Sequence, residues 1–441
     1  MRKQCLALSW GSSFAELETC SGWVRAYTAQ LPAHQLLKNT IASDADLTEA
    51  RVSMSVTRRI LGTRLGNSVA QIVTEGFEHW VLLRQEAEPG HFDLAPNRRE
   101  PLANPENLFG IKERIAADGR VLTPLKIEDL EKIAATLKSR QIERVCLNFL
   151  NSHRNPEHQR AAQKFLQEQG FQVFSRARSE TSADELSAWR RNLLDASLAS
   201  FFAKTFEDFT EVAPQMSFEF LDTEKGFVPV NALSTSGLLF GREKSLQTQI
   251  PFLYFGSEEW GWVMPEDQNL WRSPWGAVEL TAPVHGFFHA QPGLELILNP
   301  TGQIRWGDNT GMDPGPVLWG RSSRLTVLDF LGWHFETKPA LRRSEKSEAK
   351  SRDLFESLKK NSRDWRSHSF ETAHQEIFDT MISTILTDLS VRLNSDTFAV
   401  GGVMAPHIIP ALKKAKPKCS FQMLNDADNF HETKNFWGPN A

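Results

Sequence analysis

The clearest pattern of hydrophobic and polar positions lies in the middle of the chain. Apolar residues recur at helical spacing over 127–137, and a short apolar strand follows at 145–150. A helix capped by Asn155 then runs to about Gln169, and the next strand covers 171–174. Because strands and helices alternate with short links, this stretch predicts a parallel α/β layer.

Towards the N-terminus the pattern changes to short strands. Residues 5–8 and 14–17 predict the two strands of a hairpin around the small-residue turn Gly11-Ser12-Ser13. A capping box, Ser182-Ala183-Asp184-Glu185, opens a long helix that runs to about Phe209.

The C-terminal half combines both patterns. Short strands and turns are predicted over 216–306, and the charged stretch 342–364 predicts an exposed helix or linker. Apolar residues over 377–389 mark an amphipathic helix. A strand at 398–402 then runs into a glycine pair and a new helix.

The length of the chain predicts more than one domain. At 441 residues it is too long for one ordinary core, and two or three domains are expected. Pro214 follows the long helix and marks a boundary. We therefore predict one lobe over 1–213 and a second over 214–340, which a linker helix and a helix–strand–helix segment over 341–441 complete.

Composition narrows the function classes. A net charge of −4 offers no electrostatic case for nucleic acid or an anionic membrane as a partner. No apolar run reaches the roughly 18 residues of a membrane span, and none at the N-terminus has the form of a signal peptide. The four cysteines form no C-x-x-C pair, which predicts reduced, mostly buried thiols and a cytoplasmic protein.

Five motifs together resemble the hydantoinase A and 5-oxoprolinase family, and they occur in the family's order. They lie at 60–65 running into 72–77, at 118–125, at 152–158, at 311–321, and at Gly401-Gly402 with His407. The resemblance covers nearly the whole chain and implies a two-lobed α/β fold like that of actin and the Hsp70 chaperones (ribonuclease H-like), with an inserted α/β layer. In active members it further implies ATP with magnesium, the opening of a cyclic amide, and a hydantoinase B-type partner subunit.

The first phosphate loop of the family, D-x-G-G-T-x-T-D, is only partly present. Its glycines let backbone N–H groups reach phosphate oxygens, and its carboxylates help to hold magnesium. Here the matching stretch is 9–16, with Ser9 at the leading aspartate position. The remnant phosphate-binding residues that we predict in it are Gly11, Ser12, Ser13 and Glu16.

The second loop matches 254–261 and has Tyr254 at the leading position. Gly256 and Ser257 are the predicted remnant there, while Glu258 and Glu259 replace hydroxyl residues and would repel phosphates unless a metal intervened. The glycine-rich nucleotide segment aligns with 288–293, where bulky residues and Pro292 remove clearance and an N–H donor. We therefore expect weak or absent ATP binding, with ATP and magnesium bound only if the remnant site still works.

Candidate catalytic residues are few, and each has a structural alternative. Asp313 could act as a catalytic carboxylate or lie in a rigid turn, and His407 could be functional or structural. Glu258 and Glu259 could form an acid/base pair or face opposite sides of a strand. His285 and His289 are spaced as in some zinc sites, but their segment predicts strand and turn, so no metal site is predicted.

Two further groups of residues were open to more than one interpretation. His153 and His158 flank a helix start and are interpreted as capping or solvated residues. The tryptophan-rich stretch 260–275 could stack a sugar, anchor a partner or fill the core.

Three functions follow from these observations. The first is a diverged hydantoinase A-like protein with little or no ATP-driven amide hydrolysis, which serves as a binding or partner subunit. The second is an active hydantoinase or 5-oxoprolinase-type hydrolase that uses Gly11, Ser13, Glu16, Gly256 and Asp313. The third is a small-molecule or sugar binder.

Overall fold

The structure is a computed structural model, and it describes most of the chain. The described residues are 4–11, 14–19, 22–27, 31–42, 47–54, 56–57, 60–61, 68–82, 102–175, 185–222, 226–233, 249–256, 260–264, 271–275, 278–282, 285–288, 294–306, 325–334, 345–393, 395–401 and 404–423.

The helices of this part of the chain include those predicted at 127–137, 155–169 and 377–389, after the capping box, and after 402, whereas the helices at 33–41 and 327–334 were not predicted. The helices of this part are α1 (Ala33–Ile41), α2 (Ile127–Ser139), α3 (Glu157–Glu168), α4 (Glu185–Val212), α5 (Val327–His334), α6 (Glu345–Asn361), α7 (Phe370–Asp388) and α8 (Ala405–Ala415). Short 3-10 segments lie at Trp80–Leu82, Pro105–Asn107 and Val230–Ala232, and a π-helical turn follows α7 at Leu389–Leu393.

The strands are short. They are β1 (Gln4–Trp10), β2 (Phe14–Thr19), β3 (Gly22–Tyr27), β4 (Leu47–Ser53), β5 (Val69–Thr74), β6 (Leu108–Ile111), β7 (Arg114–Ile115), β8 (Val121–Thr123), β9 (Arg144–Asn148), β10 (Gln172–Phe174), β11 (Ser217–Asp222), β12 (Gly226–Val228), β13 (Phe252–Phe255), β14 (Trp260–Val263), β15 (Trp271–Trp275), β16 (Val278–Ala282), β17 (His285–Phe287), β18 (Leu296–Leu298), β19 (Ile304–Trp306), β20 (Thr397–Gly401) and β21 (Ser420–Met423).

Two of the sheets have the same topology. The first has the order β12-β11-β4-β1-β2-β3, and the second has the order β17-β14-β13-β20-β21. In each, three antiparallel strands form a meander, β1-β2-β3 or β13-β14-β17, and two later strands, one beside the other, extend the sheet in parallel from the first strand of the meander. In the first sheet β12 adds one further antiparallel strand at the edge. The hairpin predicted around Gly11 is the first turn of the first meander.

The third large sheet is the inserted α/β layer that the sequence predicts. Its order is β10-β9-β5-β6 and all its pairings are parallel. In the chain it lies between β4 and β11, which are neighbours in the first sheet. Apolar residues of α2 and α3 cover one face of this sheet, so the layer has a core of its own.

A second core surrounds α7. Ile377, Met381 and Ile385 are buried at the predicted helical spacing, together with residues of β13, β14 and β20. The helix predicted as exposed, α6, has one apolar side in this core, because Phe355 is only 1% exposed and contacts Phe330. That part of the prediction was wrong, since the charged residues of α6 masked an inward side on which Ser351 and Phe355 are buried and Leu354 and Leu358 pack against the core.

The chain divides into two compact units. One comprises Met1–Thr63, Thr205–Ser273 and Ala282–Ala441 and contains the two sheets of equal topology. The other comprises Arg64–Lys204 and Pro274–Thr281 and contains the inserted sheet. The boundaries near residues 213 and 340 stay a prediction about domains.

The structure also bears on the predictions about the cysteines and about membrane-spanning helices. Cys146 and Cys419 are free thiols, and Cys146 is buried. Among the described residues, no helix combines the length and the apolar character needed to cross a bilayer.

Candidate functional site

The two predicted phosphate loops occupy corresponding places in the two similar sheets. The β1–β2 hairpin has Trp10 opposite Ala15 as its last pair, and the β13–β14 hairpin has Phe255 opposite Trp260. Four residues separate the two members of this last pair in each hairpin, and a glycine is the first of them. The leading positions, Ser9 and Tyr254, are therefore equivalent in register.

The first loop is described only at its two sides. Gly11 follows β1 directly, whereas Ser12 and Ser13 lie outside the described residues. Glu16 lies in β2 opposite Ser9, and its side chain is not among those described.

Next to the first loop lies the hydroxyl of Ser53, a residue that the sequence analysis did not identify as a candidate. Ser53 lies opposite Ser9 at the end of β4 and is 1% exposed. Its Oγ has no hydrogen-bond partner within the described part of the chain. The end of this sheet therefore presents hydroxyl groups rather than a carboxylate at Ser9.

In the second loop, the side chain of the leading residue, Tyr254, packs against Gly256. Tyr254 and Gly256 are two positions apart, so they share one face of the extended chain. A Cβ atom on Gly256 would lie 2.7 Å from the Tyr254 phenol oxygen and 2.8 Å from a ring carbon. The missing side chain of Gly256 is thus what allows the tyrosine ring to lie against the loop backbone.

Aromatic residues also hold the base of the second loop. The indole Nε1 of Trp260 donates a 2.8 Å hydrogen bond to the Gly256 carbonyl oxygen. Phe255 stacks on Phe288 with ring centroids 5.7 Å apart, and its carbonyl accepts the Met404 N–H at 2.9 Å. Phe288, predicted at the start of the nucleotide segment, is therefore a core residue.

His407 lies near this second loop. It is in the first turn of α8, whose preceding residue Met404 contacts the end of β13. Gly401 ends β20 directly opposite Tyr254. Burial lowers the pKa of the His407 imidazole below its usual value. The structure thus brings together Gly256, Gly401 and His407 at one end of the second sheet.

Other predicted candidates cannot be located in this way. Asp313, Ser257, Glu258, Glu259 and His289 lie outside the described residues, and the side chain of His285 is not described. Among the residues that are described, no three His, Cys, Asp or Glu side chains come close enough to hold a metal ion. Trp260 and Trp262 are buried, at 0% and 2% exposure, as expected of core residues.

A buried polar cluster in the inserted layer was missed by the sequence analysis. The Thr74 hydroxyl donates to one carboxylate oxygen of Glu113, and the other oxygen accepts His158 Nδ1 at 2.7 Å. Leu150 N–H donates to the Thr74 hydroxyl at 2.9 Å, and Leu125 N–H lies 3.4 Å from His158 Nε2.

The interpretation of His158 as a capping or solvated residue was therefore wrong. The Glu113 side chain is fully buried and that of His158 is 7% exposed. The cluster joins the ends of β5, β6 and β9 to α3. No local sequence pattern could have signalled it, because Glu113 is 39 residues from Thr74 and 45 residues from His158 in the chain.

Comparison with known proteins finds a family model, curated relatives and solved structures to which this chain is similar. Residues 32–170 match the family model of the hydantoinase/oxoprolinase N-terminal region. The acetophenone carboxylase gamma subunit of Aromatoleum aromaticum is 27% identical over 127 residues, which are 27% of this chain and 17% of that protein. The chain spans between 14% and 25% of the length of the curated relatives that it matches.

Two solved structures share the fold. A nucleotide-free acetone carboxylase matches with a TM-score of 0.69 and 16% identity, covering 94% of this chain and 67% of that one. An ATP-dependent caprolactamase from Pseudomonas jessenii matches with a TM-score of 0.67 and 16% identity, covering 95% and 68%. The prediction of an actin-like α/β fold is confirmed.

Proposed function

Because this chain carries the N-terminal region of the hydantoinase/oxoprolinase family over residues 32–170, we propose that it is a diverged family member with little or no ATP-driven amide hydrolysis. In this proposal it serves as a binding or partner subunit. The acetophenone carboxylase relative, which is by name one subunit of an enzyme, supports the second part.

The observation that carries the proposal is the ring of Tyr254 against Gly256. A phosphate loop needs clear space over its glycine backbone, and here a phenol oxygen lies within 2.7 Å of where a Cβ would be. The two leading positions also lack the carboxylate oxygen that magnesium prefers, because they are Ser9 and Tyr254.

The hydrogen bond from Trp260 supports the same conclusion. It fixes the Gly256 carbonyl, while the Tyr254 ring occupies the space in which a Gly256 side chain would lie. Because aromatic residues of its own strands hold it, Gly256 has little freedom to rearrange around a triphosphate. No reaction step is therefore assigned to ATP in this protein.

Calorimetric titration with ATP and magnesium tests the proposal. We expect no binding up to millimolar ATP for the unmodified protein and for Tyr254→Phe, which keeps the ring. Tyr254→Asp removes the ring and restores a carboxylate, and we expect it to bind ATP at least about tenfold more tightly, a gain of about 1.4 kcal/mol. Micromolar binding with turnover by the unmodified protein would contradict the proposal.

A second candidate function is ATP-dependent hydrolysis of a cyclic amide. It is motivated by the fold shared with the caprolactamase. Phosphate release measured over hydantoins, 5-oxoproline and lactams separates the two functions. If the enzyme is active, Gly11→Val and Gly256→Val should abolish release, whereas inactivity over the whole panel removes this candidate.

A further inference from the structure

The inserted sheet has a topological switch point between β5 and β9. The chain leaves β5 towards β6 on one side, and it leaves β9 towards β10 on the other side. In open parallel sheets, ligands bind outside the carboxyl ends of the two strands at such a point. The segments that follow β5 and β9 are therefore the place to look for a binding site that is separate from the two phosphate loops.

His153 lies in the segment after β9 and is oriented by a carboxylate. Its Nδ1 is 3.2 Å from Glu185 Oε1 at the start of α4. A carboxylate only accepts hydrogen bonds, so Nδ1 carries a proton, and in the neutral imidazole Nε2 then keeps its lone pair. Nε2 has no hydrogen-bond partner among the described residues, and the side chain is 17% exposed.

The backbone around His153 is held in place before any ligand arrives. Glu185 Oε1 also accepts the Asn151 N–H at 2.6 Å, and the Asn151 amide donates to the Ile115 carbonyl at 2.9 Å. Asn151 has a positive φ of 60°, which asparagine tolerates better than most residues. The hydrogen bonds of Glu185 and Asn151 thus fix the position of the His153 ring and keep the proton on Nδ1.

A group of aromatic rings begins one helical turn beyond Glu185. Trp189 is one helical turn beyond Glu185 on α4, which places it about 6 Å further along the same face. Its ring meets that of Trp80 edge to face at 5.1 Å, and Trp80 meets Phe77 at 5.2 Å. Phe77 and Trp80 belong to the segment after β5, so α4 contacts the segments that follow both strands.

We propose that these two segments form a binding site for a small planar molecule that donates an N–H or O–H group. His153 Nε2 accepts that hydrogen bond, and Trp80, which is half-buried, offers a ring surface for stacking. A donor is favoured at His153, because the imidazole Nε2 and the adjoining Glu185 carboxylate both accept, whereas the Arg114 guanidinium, a donor, lies over the Phe77 ring at 4.9 Å. His153 is the binding residue, and Glu185 positions it.

Matched probe molecules test the proposal on the full chain. We expect 2-pyridone and phenol to bind in the millimolar range, about 1 mM, as small ligands do. N-methyl-2-pyridone and anisole have the same rings without the donor, and they should bind at least about tenfold more weakly. In a 15N spectrum of the histidine side chains, Nε2 of His153 should be unprotonated, and its signal should shift on addition of 2-pyridone.

Variants separate the two roles. His153→Phe keeps a ring but removes Nε2 and should abolish binding, whereas Glu185→Gln should weaken it and mix the two tautomers of His153. The control is His34→Gln, which removes another histidine near a carboxylate, Asp208 at 4.0 Å, and should leave binding unchanged.

Three results would overturn the proposal. They are equal binding of the methylated probes, no probe binding to the unmodified protein, and a proton on Nε2 in the free protein. The 15N spectrum decides the last point even if His153→Phe does not fold. None of these measurements uses a nucleotide, so they are independent of the proposal for the phosphate loops.

Discussion

At the scale of single residues, two histidines of one motif have different surroundings. His158 has both ring nitrogens near partners, Glu113 and the Leu125 N–H. His153, five residues earlier, has only Nδ1 engaged by a described residue, Glu185. The difference arises because their partners, Glu113 and Glu185, come from distant parts of the chain. His158 therefore stabilises the fold, whereas Nε2 of His153 is the atom that we propose for ligand binding.

His407 gives a residue-scale prediction about pH. Burial lowers its pKa in the folded protein, whereas the unfolded chain keeps a value of about 6.5. Between these two values the unfolded state binds a proton that the folded state does not, so stability falls as pH drops below about 6.5. Above that pH both states are neutral and the effect is absent.

The free energy of unfolding of the unmodified protein and of His407→Gln, measured by urea denaturation at pH 7.5, 6.5 and 5.5, checks this. The unmodified protein should lose more stability on acidification than the variant, by at most about 1.4 kcal/mol per pH unit. His374, whose pKa burial also lowers, is present in both proteins and cancels. Parallel pH profiles would show that His407 does not contribute.

At the scale of elements, the hydrogen bonds of the Thr74–Glu113–His158 cluster connect the ends of β5, β6 and β9 to α3. Glu113 is the centre, because one carboxylate oxygen binds Thr74 and the other binds His158. Loss of either neighbour leaves a buried carboxylate short of a partner, which is more costly than loss of an exposed pair.

A double-mutant cycle measures this effect. We expect Glu113→Gln and His158→Gln each to destabilise the inserted layer by about 2–4 kcal/mol, with a coupling energy of about 1–3 kcal/mol. The matched control is the exposed pair Asp129 and Lys132 on α2, 2.8 Å apart, whose coupling should stay below about 1 kcal/mol. Hydrogen exchange of the β5 and β9 amides gives the local stability, and similar coupling in both pairs would refute the expectation.

The elements were more predictable from the sequence than the sites. The helix at 127–139 and the strand at 144–148 follow from periodicity and short apolar runs, which depend on nearby residues. The partners of His158 and the ring of Tyr254 over Gly256 depend on tertiary contacts or on a side-chain rotamer, and no local pattern encodes them. The positions of the loops were therefore predictable from the sequence, but the side-chain contacts made there were not.

At the scale of the whole molecule, two sheets of equal topology each present a glycine hairpin at the same register. In family members that use ATP, the resemblance implies that such loops bind phosphates. Here the residues at the leading positions, Ser9 and Tyr254, have changed while the strands around them keep their pairing. Retained architecture with altered loops is the expected outcome when a chain is kept for assembly rather than for hydrolysis.

Co-expression with a hydantoinase B-type subunit tests this view of the whole molecule. We expect the two chains to co-elute in size-exclusion chromatography, with a mass from light scattering above the 49.9 kDa of this chain alone. The B-type subunit run by itself is the control. Separate elution at tens of micromolar protein would argue against a role as its partner.

The tyrosine over Gly256 also has a genetic consequence. Tyrosine and aspartate codons differ only in their first base, so one nucleotide substitution would return an acidic residue to the second hairpin. Every serine codon is at least two substitutions away from an aspartate codon, so the first hairpin, at Ser9, is further from reversal. A lineage selected to regain nucleotide binding should therefore change position 254 before position 9.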